Sequence, residues 1–340
     1  MLTGTPLLTG VTVPLVTPMD VRGRPAAASA SRLLNSLHAH GVRTLMLFGS
    51  NGEGPLVPAA HVGPFTAGVV AHWRALGRSS EHHNGHHDGH RNGQHNGGPR
   101  LDGQGSGAPH HGAGHDGGFV LVNVTAAGTH DVLARADAAA AAGADALVLS
   151  PPIYFHHRAD EVVAHFAALA DVGLPVVAYN APRYSNPITP GLADALADLD
   201  HVVGIKDSSG DLVLLRHLVG IAARRPGFAV GQGDETQLAA ALDLGAHGIV
   251  PGVGNIAPRA TLALVAAHRA GDTAEVARLQ ELLTALVGLH KVRPGTPAIK
   301  AVLARRGLCP PHVAPPLIAC DRAEREALHA FLVPFAEHLI

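Results

Sequence analysis

Cysteine is nearly absent from this 340-residue chain: Cys309 and Cys320 are the only two. That is too few for a disulfide framework, and their spacing matches no close metal-binding or redox pair, which suits a reducing compartment. No stretch of about 20 residues is uninterruptedly apolar, which excludes a membrane span. Residues 1–6 lack the basic start and apolar run of a secretion signal. A soluble, cytoplasmic protein is expected. An excess of one charge is also missing, with 25 basic residues against 27 acidic ones. Nothing in that balance would neutralise a phosphate backbone or an anionic membrane, so the expected partner is a small molecule, not nucleic acid or lipid. Apolar residues make up 46% of the chain, enough to bury a large core and to exclude disorder for most of it.

Histidine, by contrast, is abundant. Nine of the 25 fall in residues 77–118, together with thirteen glycines and almost nothing apolar. Such a segment buries too little surface to offset the entropy of ordering, so it reads as a low-complexity, disordered insertion. Tracts such as Glu81-His82-His83-Asn84-Gly85-His86-His87 could chelate a transition metal loosely. The plainer reading is a surface-loop insertion with incidental metal affinity, since long loops cost little stability. No catalytic role is assigned to it, and no metal site is expected elsewhere.

Without those 42 residues, 298 remain, and they alternate short β-branched runs with Ala- and Leu-rich helical stretches. The strands are predicted at Thr12–Val16, Thr44–Phe48, Phe119–Asn123, Ala146–Ser150, Val176–Asn180, Val202–Lys206, Phe228–Gly231 and Gly248–Pro251. Asp131–Ala142 and Leu238–Leu244 show helical spacing, each closed by a glycine. Near-continuous apolar strands alternating with helices imply a parallel sheet under a helical layer. Eight such units favour a closed (β/α)8 TIM barrel, over residues 1–270, rather than an open sheet. Thr273–His290, Thr296–Arg306 and Arg322–Leu339 read as a three-helix C-terminal extension, residues 271–340.

In such a barrel the chemistry belongs where strands end. Only three lysines occur, Lys206, Lys291 and Lys300, and Lys206 closes an apolar strand. Partial desolvation there would enrich the neutral amine, which attacks ketones to form a Schiff base; the alternative is a lysine paired to Asp207 and turned to solvent. One strand earlier Tyr179 holds the matching position, either as a proton shuttle or as a core aromatic. Strand two ends in Gly49-Ser50-Asn51-Gly52-Glu53, whose free N–H groups suit a carboxylate and whose composition is also ordinary turn chemistry. Glu53 equally reads as a structural carboxylate.

Together these segments, with Tyr179-Asn180-Ala181-Pro182 and Gly204-Ile205-Lys206-Asp207, resemble the dihydrodipicolinate synthase/N-acetylneuraminate lyase family. Val16-Thr17-Pro18, Ser150-Pro151-Pro152-Ile153-Tyr154, Gly231-Gln232-Gly233-Asp234-Glu235 and Gly254-Asn255-Ile256-Ala257-Pro258 agree, in the right order. The resemblance implies that Lys206 condenses with C2 of pyruvate or another 2-oxo acid and that Tyr179 relays protons through Ser50. It gives the keto-acid carboxylate to Ser50 and Asn51 on the Gly49 turn, Asn51 standing where many members carry a second hydroxyl. Tyr154 matches the tyrosine that completes the relay in a neighbouring subunit, which implies a homodimer or homotetramer. Val250 resembles the apolar position beside the bound acid, and is also a plain core valine. No cofactor is implied beyond the lysine itself.

The expected activity is therefore a 2-oxo-acid-dependent class I lyase or aldolase acting with an aldehyde. One alternative is a true 4-hydroxy-tetrahydrodipicolinate synthase, joining pyruvate to aspartate semialdehyde in lysine biosynthesis. In such synthases an arginine usually follows the Tyr-Asn-x-Pro segment, where this chain has Tyr184, with Arg183 one residue early. Asp234-Glu235 resembles the acidic pair with which some sugar-acid lyases grip hydroxyls, and Asp234 equally reads as a helix cap. From another class, a non-catalytic keto-acid-binding or metal-storage protein stays open.

Overall fold

The computed structural model describes residues 2–84 and 118–340, the side chains of 79–84 apart. Eight parallel strands pair in chain order and the last closes on the first. They are β1 (Gly10–Pro14), β2 (Thr44–Leu47), β3 (Phe119–Asn123), β4 (Ala146–Leu149), β5 (Val176–Asn180), β6 (Val202–Asp207), β7 (Ala229–Gln232) and β8 (Gly248–Ile249). All eight expected strands are present. β1 begins two residues early, because Val11 to Val16 is apolar but for Thr12 and buried throughout, and so carries no phase. It stops at Pro14, which has no N–H to continue the ladder. β8 is short for the same reason, Pro251 turning the chain into a 3-10 segment.

The helical layer follows the strands. A first helix, α1 (Gly4–Leu8), precedes β1; α2 (Ser31–Ala39), α3 (Val62–Asn84), α4 (Thr129–Ala141), α5 (Ala159–Ala167), α6 (Pro190–Ala197), α7 (Leu212–Arg224), α8 (Leu238–Asp243) and α9 (Pro258–Ala270) surround the barrel. The C-terminal part holds α10 (Thr273–Val287), α11 (Leu289–Val292), α12 (Thr296–Arg305) and α13 (Arg322–Leu332). Two of its boundaries differ from expectation. Gly288 splits the first helix where Phe331 presses against it, its Cζ 3.0 Å from where a Cβ would stand. Pro334 ends α13, leaving Val333–His338 as a 3-10 segment.

α1 was not foreseen in the sequence. Leu7 and Leu8 are fully buried and join Met46, Leu121, Val148, Val177 and Tyr179 in one cluster inside the barrel. The helix therefore plugs the floor, and Gly204 and Gly248 leave it room: a Cβ on Gly204 would lie 3.1 Å from Leu8 Cδ1.

α3 continues to Asn84, into the first residues assigned above to the insertion, and β3 starts at Phe119. α3 reaches the foot of the strands at Trp73, whose Nε1 donates to Arg43 O just before β2, and Gly118 leads into β3 against the same residue. The rest of the predicted insertion, and with it the metal-chelation reading, lies outside the described residues. Among the described residues no helix is long and apolar enough to cross a membrane.

His165 on α5 illustrates what the packing costs. It is 4% exposed and bonded to Thr129 Oγ1 at 2.8 Å, and burial, with a smaller contribution from His157, lowers its pKa from 6.5 to about 4. Between those values the unfolded chain binds a proton that the folded ring refuses, so stability should fall as pH drops from 6.5 towards 4. Urea midpoints compared with those of His165→Gln are expected to converge across that window.

Candidate active site

β5 and β6 run in a register that sets Tyr179 beside Lys206 and Asn180 beside Asp207. Side chains alternate along a strand, so the first pair faces the barrel interior and the second the helical layer. Asn180 Nδ2 donates to Asp207 Oδ1 at 2.7 Å, and Ser209 Oγ donates to Oδ2 at 2.9 Å. Burial pushes the Asp207 carboxyl up, and these bonds offset part of that. Asp207 is therefore occupied elsewhere, and the solvent-facing Lys206–Asp207 pair is not formed.

Lys206 is 3% exposed, with Nζ 4.1 Å from the centroid of the Tyr179 ring. Burial alone would raise the Tyr179 pKa; the Lys206 ammonium and hydrogen bonds with Ser50, Ser208 and Lys206 outweigh it and leave the phenol more acidic than usual. An acidic phenol touching an amine and a hydroxyl is equipped to hand a proton either way. Gly233 keeps the space open, since a Cβ there would lie 2.9 Å from Lys206 Cε and run into Ser208 Oγ.

The turn after β2 has an unusual backbone. Phe48 and Glu53 both take left-handed φ values, 55° and 57°, which cost about 1 kcal/mol or more each for non-glycine residues. Gly52 and Gly54 donate to Gly49 O at 2.9 and 3.2 Å, and Thr17 Oγ1 donates to Gly52 O at 2.7 Å. Asn255 ties the barrel seam beside it, accepting from Val16 N and donating to Pro14 O. Ser50 and Asn51 are thereby held at the mouth with Ser50 exposed.

One cavity of about 630 Å³ takes in Ser50, Asn51, Tyr179, Lys206 and Val250. Five of the seven residues expected in the site are so brought together. Gly49 is not on its wall; it is buried beneath the turn as a hydrogen-bond acceptor. Tyr154 is not there either. It is 87% exposed, with a left-handed φ of 84°, and packs edge-on against Phe155, itself exposed, at 4.7 Å.

Arg183 and Tyr184 both line the same cavity, so the one-residue offset seen in the sequence does not remove the arginine from it. Asp234 caps a 3-10 turn, accepting from Thr236 N and Oγ1. Glu235 lines the cavity and accepts from Gly252 N at 2.7 Å; burial raises its pKa, opposed by that bond and by Lys206. Three contributors escaped the sequence reading. Thr296 on α12 lines the cavity and donates to Asn51 O at 3.2 Å. Lys300 pairs with Glu53 at 2.6 Å, and Arg135 donates to Val57 O at 2.6 Å below the turn. Their contacts span 78 to 247 positions, so only the lone placement of Lys300 in an apolar helix could have hinted at one of them.

Fold and site together define a barrel lyase of the aldolase kind. Residues 118–334 match the dihydrodipicolinate synthetase family model. A 4-hydroxy-tetrahydrodipicolinate synthase from Streptomyces coelicolor is 30% identical over 93% of this chain and 90% of its own length. An uncharacterised DapA-like lyase from Halobacterium salinarum is 32% identical over 63% of this chain and 70% of its own. The crystal structure of YagE, a prophage protein of E. coli K12 in complex with pyruvate, superposes with a TM-score of 0.77 at 24% identity, covering 97% and 99% of the two chains. The chain belongs to the dihydrodipicolinate synthetase family.

Proposed function

We propose that the protein condenses Lys206 with pyruvate or a related 2-oxo acid and uses the product to make or break a bond to an aldehyde. The observation that carries this is the buried amine 4.1 Å from the Tyr179 ring, in one cavity with the Ser50–Asn51 turn. Nζ attacks C2 of the oxo acid, and loss of water leaves a protonated imine. That cation is an electron sink: a proton leaves the adjacent methyl carbon and the enamine forms. The enamine carbon then bonds to the aldehyde carbon, whose oxygen takes a proton, and water releases the lysine; the reverse sequence cleaves. Tyr179 carries protons to and from the nitrogen and the new hydroxyl, connected to solvent through Ser50. The turn N–H groups and the Ser50 and Asn51 side chains hold the carboxylate so that the reacting atoms stay aligned, and Val250 packs against the methyl end. The lysine itself supplies the covalent chemistry, without an external cofactor.

Borohydride added with pyruvate should reduce the imine and leave a stable adduct on Lys206. A mass spectrum with Lys206 unmodified at saturating pyruvate would overturn the reading.

Arg183 on the cavity wall and the names its relatives carry support aspartate semialdehyde as the aldehyde, the 4-hydroxy-tetrahydrodipicolinate synthase reading. Asp234 and Glu235 both line the cavity, each already accepting a backbone N–H, and would be the groups to meet a hydroxylated aldehyde. A coupled assay separates the two: consumption of aspartate semialdehyde supports the synthase, and pyruvate release from hydroxylated oxo acids supports the aldolase. Tyr154 supports assembly, since it stands 87% exposed at a left-handed φ, where a neighbouring subunit could cover it. A homodimer or homotetramer in sedimentation is expected, and the two buried, unpaired cysteines suit a cytoplasmic setting.

A further inference from the structure

The turn that receives the carboxylate is held from outside the cavity. Glu53 and Lys300 are both buried, 3% and 0% exposed, and neither lies on the cavity wall. Glu53 Oε1 meets Lys300 Nζ at 2.6 Å, Glu53 Oε2 accepts from Ala314 N at 2.6 Å, and Lys300 Nζ donates to His312 O at 2.7 Å. Lys300 lies one helical turn beyond Thr296, so both stand on one face of α12. Thr296 Oγ1 reaches the carbonyls of Ser50 and Asn51 from that same face. For stability alone, a well-packed apolar pair of this volume would serve as well or better. What the ion pair adds is direction. Glu53 ends the turn at a left-handed φ, so an anchor on its side chain bears on the backbone whose N–H groups precede it.

We propose that Glu53 and Lys300 are positioning residues for oxo-acid binding, so that the C-terminal helices set the affinity of the Ser50–Asn51 turn for a 2-oxo-acid carboxylate. The proposal rests on the reading of this cavity as a 2-oxo-acid site.

Its test is the double variant Glu53→Gln/Lys300→Met, which removes both charges and leaves neither partner stranded. Adduct yield at saturating pyruvate should match the parent, while the pyruvate concentration for half-maximal trapping should rise by roughly tenfold or more. A double variant that melts like the parent and traps at an unchanged half-saturation overturns the proposal and leaves the Lys206 reading intact. Should the double variant not fold, Thr296→Val removes only the hydroxyl contacts to the turn. It is expected to raise half-saturation about threefold at an unchanged melting temperature, and no rise overturns the proposal. If the parent itself gives no adduct, the Lys206 reading fails, and the rise in melting temperature with pyruvate becomes the measure. A weaker rise in the variants supports positioning; an equal rise, or none in the parent, overturns it.

Discussion

Lys206→Met is expected to lose the pyruvate adduct altogether and to slow turnover by roughly 10⁴-fold or more, the scale on which removing a covalent nucleophile acts. Each tenfold is about 1.36 kcal/mol of barrier, so the loss amounts to about 5 kcal/mol or more. Methionine approximates the volume of the aliphatic stem, and Lys206 is already 3% exposed, so the barrel should close around it. Two controls are built into the chain. With only three lysines, adduct mapping by mass spectrometry is unambiguous, the exposed Lys291 reporting non-specific modification. With only three tyrosines, the ultraviolet titration of Tyr179 can be followed by difference against Tyr179→Phe. The Lys206 ammonium is the largest influence acidifying that phenol against burial, so its removal should move the Tyr179 titration to higher pH. Residual trapping in the variant would mean that a different amine carries the chemistry.

Lys300→Met alone should be the most destabilising single change of the C-terminal helices. It leaves the Glu53 carboxylate buried with only Ala314 N to satisfy it, and stranding one member of a buried ion pair costs about 3–5 kcal/mol. Glu53→Gln added to it should recover most of that loss, because no charge then remains to be desolvated. Denaturant unfolding of the two single variants and the double gives the coupling directly, and additive losses would show that the pair is not a unit. Cys309 lies against this pair, where burial pushes its thiol up to about 12; it is an inert packing group there.

The barrel was legible in the sequence because each β-branched run of four to six residues is closed by its own punctuation, and eight of them leave no open edge to assign. The positions of Tyr179 and Lys206 followed from that topology alone: two strand ends adjacent in chain order become adjacent in space. What stayed hidden depends on contacts that no local pattern encodes. α1 has five residues and too little length for a period, and it became visible only as the plug under Gly204 and Gly248. Thr296 and Lys300 act on a turn nearly 250 positions away, through a helix that reads as an ordinary apolar one. The side-by-side exposure of Arg183 and Tyr184 on one wall depends on the path of a loop, which residue spacing does not determine.

The histidine-rich stretch joins the rest of the chain after Asn84 and before Phe119, at the opposite end of the barrel from Lys206. None of the described residues flanking it lines the cavity that holds Lys206 and Tyr179. The two poles of this molecule can accordingly be altered independently: one is a place to append cargo or an affinity handle, the other a place to retune reactivity.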